Sequence, residues 1–293
     1  MQDLAVYFLR HNLGVYRNRS GLPKDFLPDE TMNLLTEIWD ADVAVLDYKE
    51  LPLDRAYDPE AYREHGGHKA IGILNELLRN GGYVAIVSHR SHPNYMKIGR
   101  VFPVSTSLPL RKFEVTGEYL YKAVPLIDVR TLSIQENLGL FSQIPRQAAF
   151  SRWPSAAAAV NRFMRDESPD PDVVTSLHAS QLEVLCYEYL RANEGVLELL
   201  MPIGRSMQSV DIVARDGQGG KVWAQVTFHH GFNRGKFTAL RAGIEGGRNR
   251  LFYFGAGDDP GGHPGIEWVK IEEVFSWAKA HRSGYVNDLL ALS

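Results

Sequence analysis

The chain contains one cysteine, Cys186, among 293 residues. A single cysteine cannot form an internal disulfide, so a disulfide-held scaffold is excluded and a reducing, cytoplasmic setting is the simplest expectation. No run of about 18 apolar residues appears, as a membrane-spanning helix would require. The start, Met1–Leu4, lacks the basic residues and apolar run of a secretory signal. We therefore expect no membrane partner.

The chain also lacks an excess of positive charge, since its formal net charge is −3. The charge is uneven, however: residues 81–165 hold eleven basic and four acidic side chains, an excess of seven. Such a segment suits contact with phosphates, although a solvated basic face is the alternative. The candidate contacts that we take from this segment are Arg100, Arg111, Lys112 and Arg152.

Two prolines mark a candidate boundary between domains. The segment Asp166–Asp172 is acidic and polar, and its Pro169 and Pro171 oppose both helix and sheet. It predicts one domain over residues 1–165 and a second over residues 173–293. The length is sufficient for two domains of ordinary soluble composition.

The first half mixes helical and strand patterns. Several short β-rich runs separated by turn signals predict an α+β domain with a small curled sheet or barrel. The predicted helices are Thr31–Trp39, Lys69–Arg79 and Ser155–Arg165, and the clearest predicted strands are Val43–Leu46, Tyr83–Val87 and Met96–Val101.

The second half alternates helices and strands, which predicts an α/β layered domain. Asp216–Gly220 is a strong hairpin turn between two of the strands. The predicted helices are Ser176–Ala192, Phe237–Ile244 and Ile271–His281, and the predicted strands are Val196–Met201, Val210–Ala214, Val222–Thr227 and Arg250–Phe254.

Acidic and amide side chains follow this helix–hairpin order. Gln225 and Thr227 are two residues apart on one strand and share a face, while Asp211 lies on the paired strand. Glu183 borders the apolar stripe of the preceding helix. Oxygen groups of this kind suit Mg²⁺, which needs only one or two carboxylates.

These stretches resemble the PD-(D/E)XK nuclease superfamily, and within it the Mrr-like restriction endonucleases. The resemblance rests on Gln181–Leu185, Ser209–Ala214 and Trp223–Thr227, and it covers about residues 176–255. It implies an accessory acid at Glu183, a metal ligand at Asp211, a ligand or orienting group at Gln225, and Mg²⁺ or Mn²⁺ as the cofactor.

Thr227 departs from that resemblance, because the family usually has a lysine there. A threonine hydroxyl carries no positive charge to offset charge that develops in the transition state. Lys236, at the start of the next helix, is a candidate replacement, and Arg234 and Arg241 are candidate phosphate contacts. The alternative is that nothing replaces the lysine.

The first half faintly resembles PUA-like modules such as EVE and YTH domains. The resemblance rests on Gly81–Val84 and Lys97–Val101 and implies a base held in an aromatic pocket. The candidate stacking residues are Trp39, Tyr95 and Trp153, for which burial in the core is the alternative.

Together these patterns favour a two-domain, metal-dependent DNA endonuclease of restriction or defence type. Its expected partner is DNA, with modified DNA included, and a homodimer is kept open. The rival hypotheses are a nuclease-fold protein that only binds nucleic acid or a partner, and an interaction protein without a nucleic-acid role.

Overall fold

The structure is a computed structural model that describes most of the chain in fifteen stretches. It covers residues 3–12, 16–17, 25–26, 28–46, 55–65, 67–104, 108–114, 120–145, 149–201, 203, 210–227, 233–241, 249–259, 261 and 264–291. The chain divides into two compact units, Met1–Ser168 and Pro169–Ser293. The division falls within the predicted linker, Asp166–Asp172.

The first unit combines short strands with four α-helices in its described residues. Its strands are β1 (Val6–Arg10), β2 (Tyr16–Arg17), β3 (Asp25–Phe26), β4 (Val43–Leu46), β5 (Gly82–Ser88), β6 (His92–Val101), β7 (Arg111–Lys112), β8 (Leu120–Pro125), β9 (Ile127–Ser133) and β10 (Phe150–Arg152). Its helices are α1 (Pro28–Asp40), α2 (His68–Asn80), α3 (Leu138–Ser142) and α4 (Ala157–Met164).

The strands of the first unit form open sheets. The main sheet has the order β10-β1-β5-β6-β9, and only β1 and β5 pair in parallel. A second sheet has the order β4-β8-β7, and β2 pairs with β3. No barrel closes among the described strands, so the predicted mixture of helix and sheet is confirmed with open sheets.

A glycine pair connects α2 to the central strand of this sheet. Gly81 ends the helix at a φ of 71°, and a Cβ there would lie 2.8 Å from the Val101 carbonyl oxygen. Only glycine adopts this conformation readily. The turn that the sequence predicts after Arg79 therefore fixes where β5 begins.

The second unit is an α/β domain with one five-stranded sheet in its described residues. Its elements are α5 (Ala179–Asn193), β11 (Val196–Leu199), β12 (Ile212–Asp216), β13 (Lys221–Thr227), α6 (Arg234–Arg241), β14 (Asn249–Gly255), β15 (Ile266–Lys270), α7 (Ile271–His281) and α8 (Ser283–Ala291). The strands follow chain order; β11, β12 and β13 pair antiparallel, and β13, β14 and β15 pair in parallel.

The centre of the second sheet is buried on both faces. One face packs Ala224 and Val226 against α5, and the other packs Tyr253 against Phe237 of α6. Burial on both faces explains the continuous apolar run of β14. In the part of the chain that the structure describes, every helix is too short or too polar to cross a membrane.

Candidate active site

The hairpin between β12 and β13 sets the register of the site. Asp216 Oδ1 accepts hydrogen bonds from the backbone N–H groups of Gln218 (2.9 Å) and Gly220 (2.7 Å). These bonds fix a tight turn, and the strands then pair Ile212 with Ala224. The turn thereby sets which residue of β13 lies beside Asp211, the residue immediately before β12.

The carboxylate of Asp211 is held against β13 by hydrogen bonds. The N–H of Asp211 donates to the Ala224 carbonyl at 3.0 Å, and its Oδ2 accepts the Val226 N–H at 2.8 Å. Gln225 Nε2 also donates to Asp211 Oδ2. The hairpin thus brings Asp211 and Gln225, two of the residues proposed from the sequence, into contact.

Burial raises the pKa of the Asp211 carboxyl above its ordinary value. The Val226 N–H, the charge of Lys236 and the Gln225 amide each oppose that rise, without cancelling it. A carboxylate kept ionised at neutral pH in a partly buried position costs folding free energy. Such a cost is typical of a group that is retained for binding or catalysis.

The Gln225 amide leaves one polar atom unsatisfied. Its side chain is 1% exposed, and its Oε1 has no hydrogen-bond partner. Its Nε2 contacts two oxygens instead, Asp211 Oδ2 and the Val226 carbonyl oxygen at 3.2 Å. Rotating the amide by half a turn would place Oε1 beside the same two oxygens, and three converging oxygens are a donor set for a hard divalent cation.

The residues therefore fit Mg²⁺ or Mn²⁺, with one carboxylate, one amide and one backbone carbonyl. Among the described residues, no three His, Cys, Asp or Glu side chains gather as ligands. A set with a single carboxylate is compatible with Mg²⁺, which retains several waters.

Lys236 brings a positive charge to this point. The structure places its Nζ 3.3 Å from the Val226 carbonyl oxygen, and its charge lowers the pKa of Asp211. Lys236 lies in the first turn of α6, where its N–H donates to Asn233 Oδ1 at 3.1 Å. The helix rather than β13 thus supplies the ammonium of the site.

Thr227 ends β13 and turns its hydroxyl inward. The side chain is 3% exposed, and its Oγ1 accepts a hydrogen bond from the Tyr253 hydroxyl at 2.9 Å. The Tyr253 oxygen in turn accepts the Asn233 N–H at 3.4 Å. The Thr227 hydroxyl is therefore engaged with β14.

Glu183 lies on α5 and shares an electrostatic neighbour, Cys186, with Asp211. The thiol of Cys186, one turn further along the helix, is fully buried, and its pKa is raised by burial and by the charges of Glu183 and Asp211. Both carboxylates therefore lie within electrostatic reach of one thiol. This placement suits an accessory role for Glu183, which stays a prediction.

The three candidate aromatic residues differ in exposure. Tyr95 is 45% exposed on β6, whereas Trp153 is 1% exposed and donates its Nε1–H to the Gln143 carbonyl at 3.1 Å. Trp39 is 7% exposed and is stacked by His92, with ring centroids 4.3 Å apart. Of the three candidates, Tyr95 is therefore the one whose side chain is exposed to solvent.

The four basic candidates of the first unit lie on three strands, β6, β7 and β10. Arg100 on β6 covers the Phe102 ring at 4.4 Å, and Arg111 and Lys112 are exposed on β7. Arg152 on β10 donates its Nε–H to Glu76 at 2.9 Å. The Arg152 guanidinium is thus already engaged, and a phosphate would have to compete with a carboxylate for it.

The two remaining basic candidates, Arg234 and Arg241, lie on α6. Arg234 and Arg241 are both exposed, and neither forms an ion pair with a residue that the structure describes. They stand seven residues apart, about 10 Å along the helix, and so project from similar sides of it. This side of α6 is available to phosphates.

The sequence did not reveal Asn233 and Tyr253 as parts of the site. A signal existed for Asn233, because an asparagine three residues before Lys236 has the spacing of a helix N-cap. Tyr253 lies within the apolar run of β14 and carries no such signal. Only the parallel pairing of Gln225 with Tyr253 brings its ring behind Thr227.

Replacing Gln225 with glutamate should make stability depend on a divalent ion. The change removes an amide bonded to a carboxylate and puts two carboxylates in contact, which should destabilise the ion-free protein by about 2 kcal/mol. Added Mn²⁺ should then raise the Tm more than it does for the wild type. Thermal unfolding with and without Mn²⁺ measures this, with exposed Gln218→Glu as the control. Equal Mn²⁺ shifts in all three proteins would contradict the proposed ligand set.

Comparisons with known proteins show a loose structural likeness and no match in sequence. No family model matches the chain, and no curated protein matches its sequence. A solved structure described as an EndoMS–dsDNA2 complex is similar over 78% of this chain and 96% of that chain, with 12% identity and a TM-score of 0.27. A likeness this loose supports no conclusion about this chain's function, so the contacts around Asp211 must carry it.

Proposed function

We propose that this chain is a Mg²⁺- or Mn²⁺-dependent DNA endonuclease of restriction or defence type, with a PD-(D/E)XK-like second unit. The observation that carries the proposal is the convergence of four groups. These are the Asp211 carboxylate, the Gln225 amide, the Val226 carbonyl and the Lys236 ammonium.

The four groups match what phosphodiester hydrolysis requires. A bound divalent ion would polarise the phosphate and lower the pKa of a water molecule. Asp211, the Val226 carbonyl and Gln225 Oε1 would hold the ion. Burial is the main cause of the raised pKa of Asp211, and a bound cation would stabilise the ionised carboxylate that burial disfavours.

Lys236 would act on the phosphate. Its ammonium donates a hydrogen bond to the Val226 carbonyl at 3.3 Å. A phosphate oxygen that gains negative charge during cleavage is a stronger acceptor than a neutral carbonyl. We therefore propose that Lys236 offsets that charge. In PD-(D/E)XK nucleases this role belongs to a lysine at the position that corresponds to Thr227.

DNA would reach this site along α6. Arg234 and Arg241 offer two exposed guanidinium groups on the helix that carries Lys236. In the first unit, exposed Tyr95 and the basic strands β6 and β7 would contact DNA, including modified bases.

Removing the two α6 arginines should reduce the salt dependence of DNA binding. Each phosphate contact contributes about −0.9 to the slope of log K against log salt concentration. Arg234→Ala/Arg241→Ala should therefore lower the magnitude of the slope by about 2. Fluorescence anisotropy at several salt concentrations measures it, with Arg215→Ala on β12 as the control. An unchanged slope would exclude α6 as the phosphate-binding helix.

A substrate panel tests the proposed function itself. Wild-type protein and Asp211→Asn are incubated with unmodified DNA, modified DNA and RNA, each with Mg²⁺ or Mn²⁺. DNA cleavage by the wild type alone supports the proposal. Binding that weakens with salt, without any cleavage, supports the rival of a nuclease-fold binding protein. Absence of both at low salt would leave an interaction protein without a nucleic-acid role.

A further inference from the structure

The hydroxyl of Tyr253 joins the end of β13 to the start of α6. It donates to Thr227 Oγ1 at 2.9 Å and accepts the Asn233 N–H at 3.4 Å. Thr227 is the last residue of β13, and Asn233 directly precedes α6. One buried oxygen therefore holds both ends of the connection between these elements.

Asn233 in turn contacts the backbone of Lys236. Its side-chain Oδ1 accepts the Lys236 N–H at 3.1 Å, and its carbonyl accepts the Phe237 N–H at 3.0 Å. These are the bonds of an N-cap, which fix where a helix begins. The position of Asn233 thus sets how far the Lys236 side chain must reach to the Val226 carbonyl.

The ring of Tyr253 is held independently of its hydroxyl. It stacks on Trp268 with centroids 4.9 Å apart, and it lies 5.7 Å from the ring of Phe237 on α6. Tyr253→Phe should therefore keep the packing of the ring and remove the hydrogen bonds of its hydroxyl to Thr227 and Asn233. This substitution therefore separates the effect of the Tyr253 hydroxyl from the effect of ring packing.

We propose that Tyr253 is a positioning residue for Lys236, anchored by Thr227. The role of Lys236 in cleavage rests on the proposed function, whereas the anchor itself rests on the four hydrogen bonds. Thr227 then has a task of its own. At the position where the family usually has a lysine, it anchors the helix that supplies the ammonium from Lys236.

Amide hydrogen exchange tests the anchor without any activity. Tyr253→Phe should speed exchange of the Asn233 and Lys236 amides about fivefold, the change expected for one lost neutral hydrogen bond. Thr227→Val should act in the same direction, and Thr227→Ser, which keeps the hydroxyl, should restore slow exchange. Tyr285→Phe is the matched control, because its hydroxyl has no hydrogen bond to a described residue.

Single-turnover cleavage tests the consequence for Lys236. Tyr253→Phe should slow cleavage about 10-fold with little change in DNA affinity, since small displacements of a catalytic group are costly. In a Lys236→Met background the same change should have no further effect. Unchanged exchange in both Tyr253→Phe and Thr227→Val would overturn the anchor. A wild type that cleaves no DNA would instead refute the proposed function and leave the exchange result to decide the anchor.

Discussion

Asp211→Asn is expected to lower single-turnover DNA cleavage by at least about 10³-fold while the protein stays folded. The substitution keeps an oxygen that can accept the Val226 N–H but removes the charge that would hold a divalent ion, and such an ion supplies several kcal/mol of transition-state stabilisation. Rapid-quench assays under saturating protein measure the chemical step, and circular dichroism checks the fold. Cleavage that survives Asp211→Asn would exclude this site as the active one.

The same variant should be more stable than the wild type near pH 7. The pKa of Asp211 is raised in the folded protein, so stability falls as pH rises from the ordinary carboxyl pKa through the folded value, and the full cost is present above it. Asparagine has no charge and avoids that cost. Urea unfolding without divalent ions, from pH 3 to pH 8, should show Asp211→Asn gaining over the wild type as pH rises.

Asp258 provides a control of opposite sign. Its pKa is lowered by a hydrogen bond from Lys270, so Asp258→Asn should show no such gain at neutral pH. If Asp211→Asn is less stable than the wild type at pH 7, then the carboxylate serves the fold rather than ion binding.

Lys236→Met is expected to lower cleavage roughly 10²–10³-fold with little loss of DNA affinity. Methionine keeps most of the apolar stem but removes the ammonium, and the loss of one charge-stabilising donor has about this effect. Because the interaction would form chiefly in the transition state, kcat should fall while KM changes little. Single-turnover kinetics with a DNA titration separates the two.

Lys221→Met is the matched control for this lysine. Lys221 begins the same strand that Thr227 ends and is exposed at the far end of β13, about 20 Å away at the rise of a strand. It should cleave like the wild type. If the Lys236→Met variant also cleaves like the wild type, then Lys236 does not offset the charge that develops on the phosphate, and another group must do so.

Short-range signals in the sequence predicted the frame of the site. The turn Asp216–Gly220 and the strand Val222–Thr227 are fixed by neighbouring residues, and the structure has β13 over Lys221–Thr227. The side-chain alternation of a strand then predicted that Gln225 and Thr227 share a face. Asp211 follows from the hairpin register, although it lies one residue before β12 rather than within it.

The helix after the site was predicted too late in the chain. We predicted Phe237–Ile244, whereas α6 covers Arg234–Arg241, and residues 242–244 lie outside the described part. Gly235 in its first turn opposes a helix by propensity, and Arg234 and Lys236 place positive charge at the positive end of the helix dipole. The Asn233 cap overcomes that preference, and its own anchor on Tyr253 comes from a strand twenty residues away.

Long-range pairing also limited the prediction for the first unit. The strand β1 (Val6–Arg10) was not predicted, since its short apolar run becomes a strand by pairing with β5 and β10, far along the chain. Trp153 was a candidate for stacking a base because a single sequence does not reveal which aromatic residues are buried. Its ring packs edge-on against Phe8 of β1, at 5.4 Å between centroids.

A crystal of the protein soaked in Mn²⁺, with anomalous diffraction recorded at the manganese edge, tests the central claim most directly. We expect one strong peak at about 2.1 Å from a carboxylate oxygen of Asp211, from Gln225 Oε1 and from the Val226 carbonyl oxygen, with Lys236 Nζ displaced from that carbonyl. A manganese peak elsewhere in the second unit, with the Gln225 amide still bonded to Asp211, would contradict it.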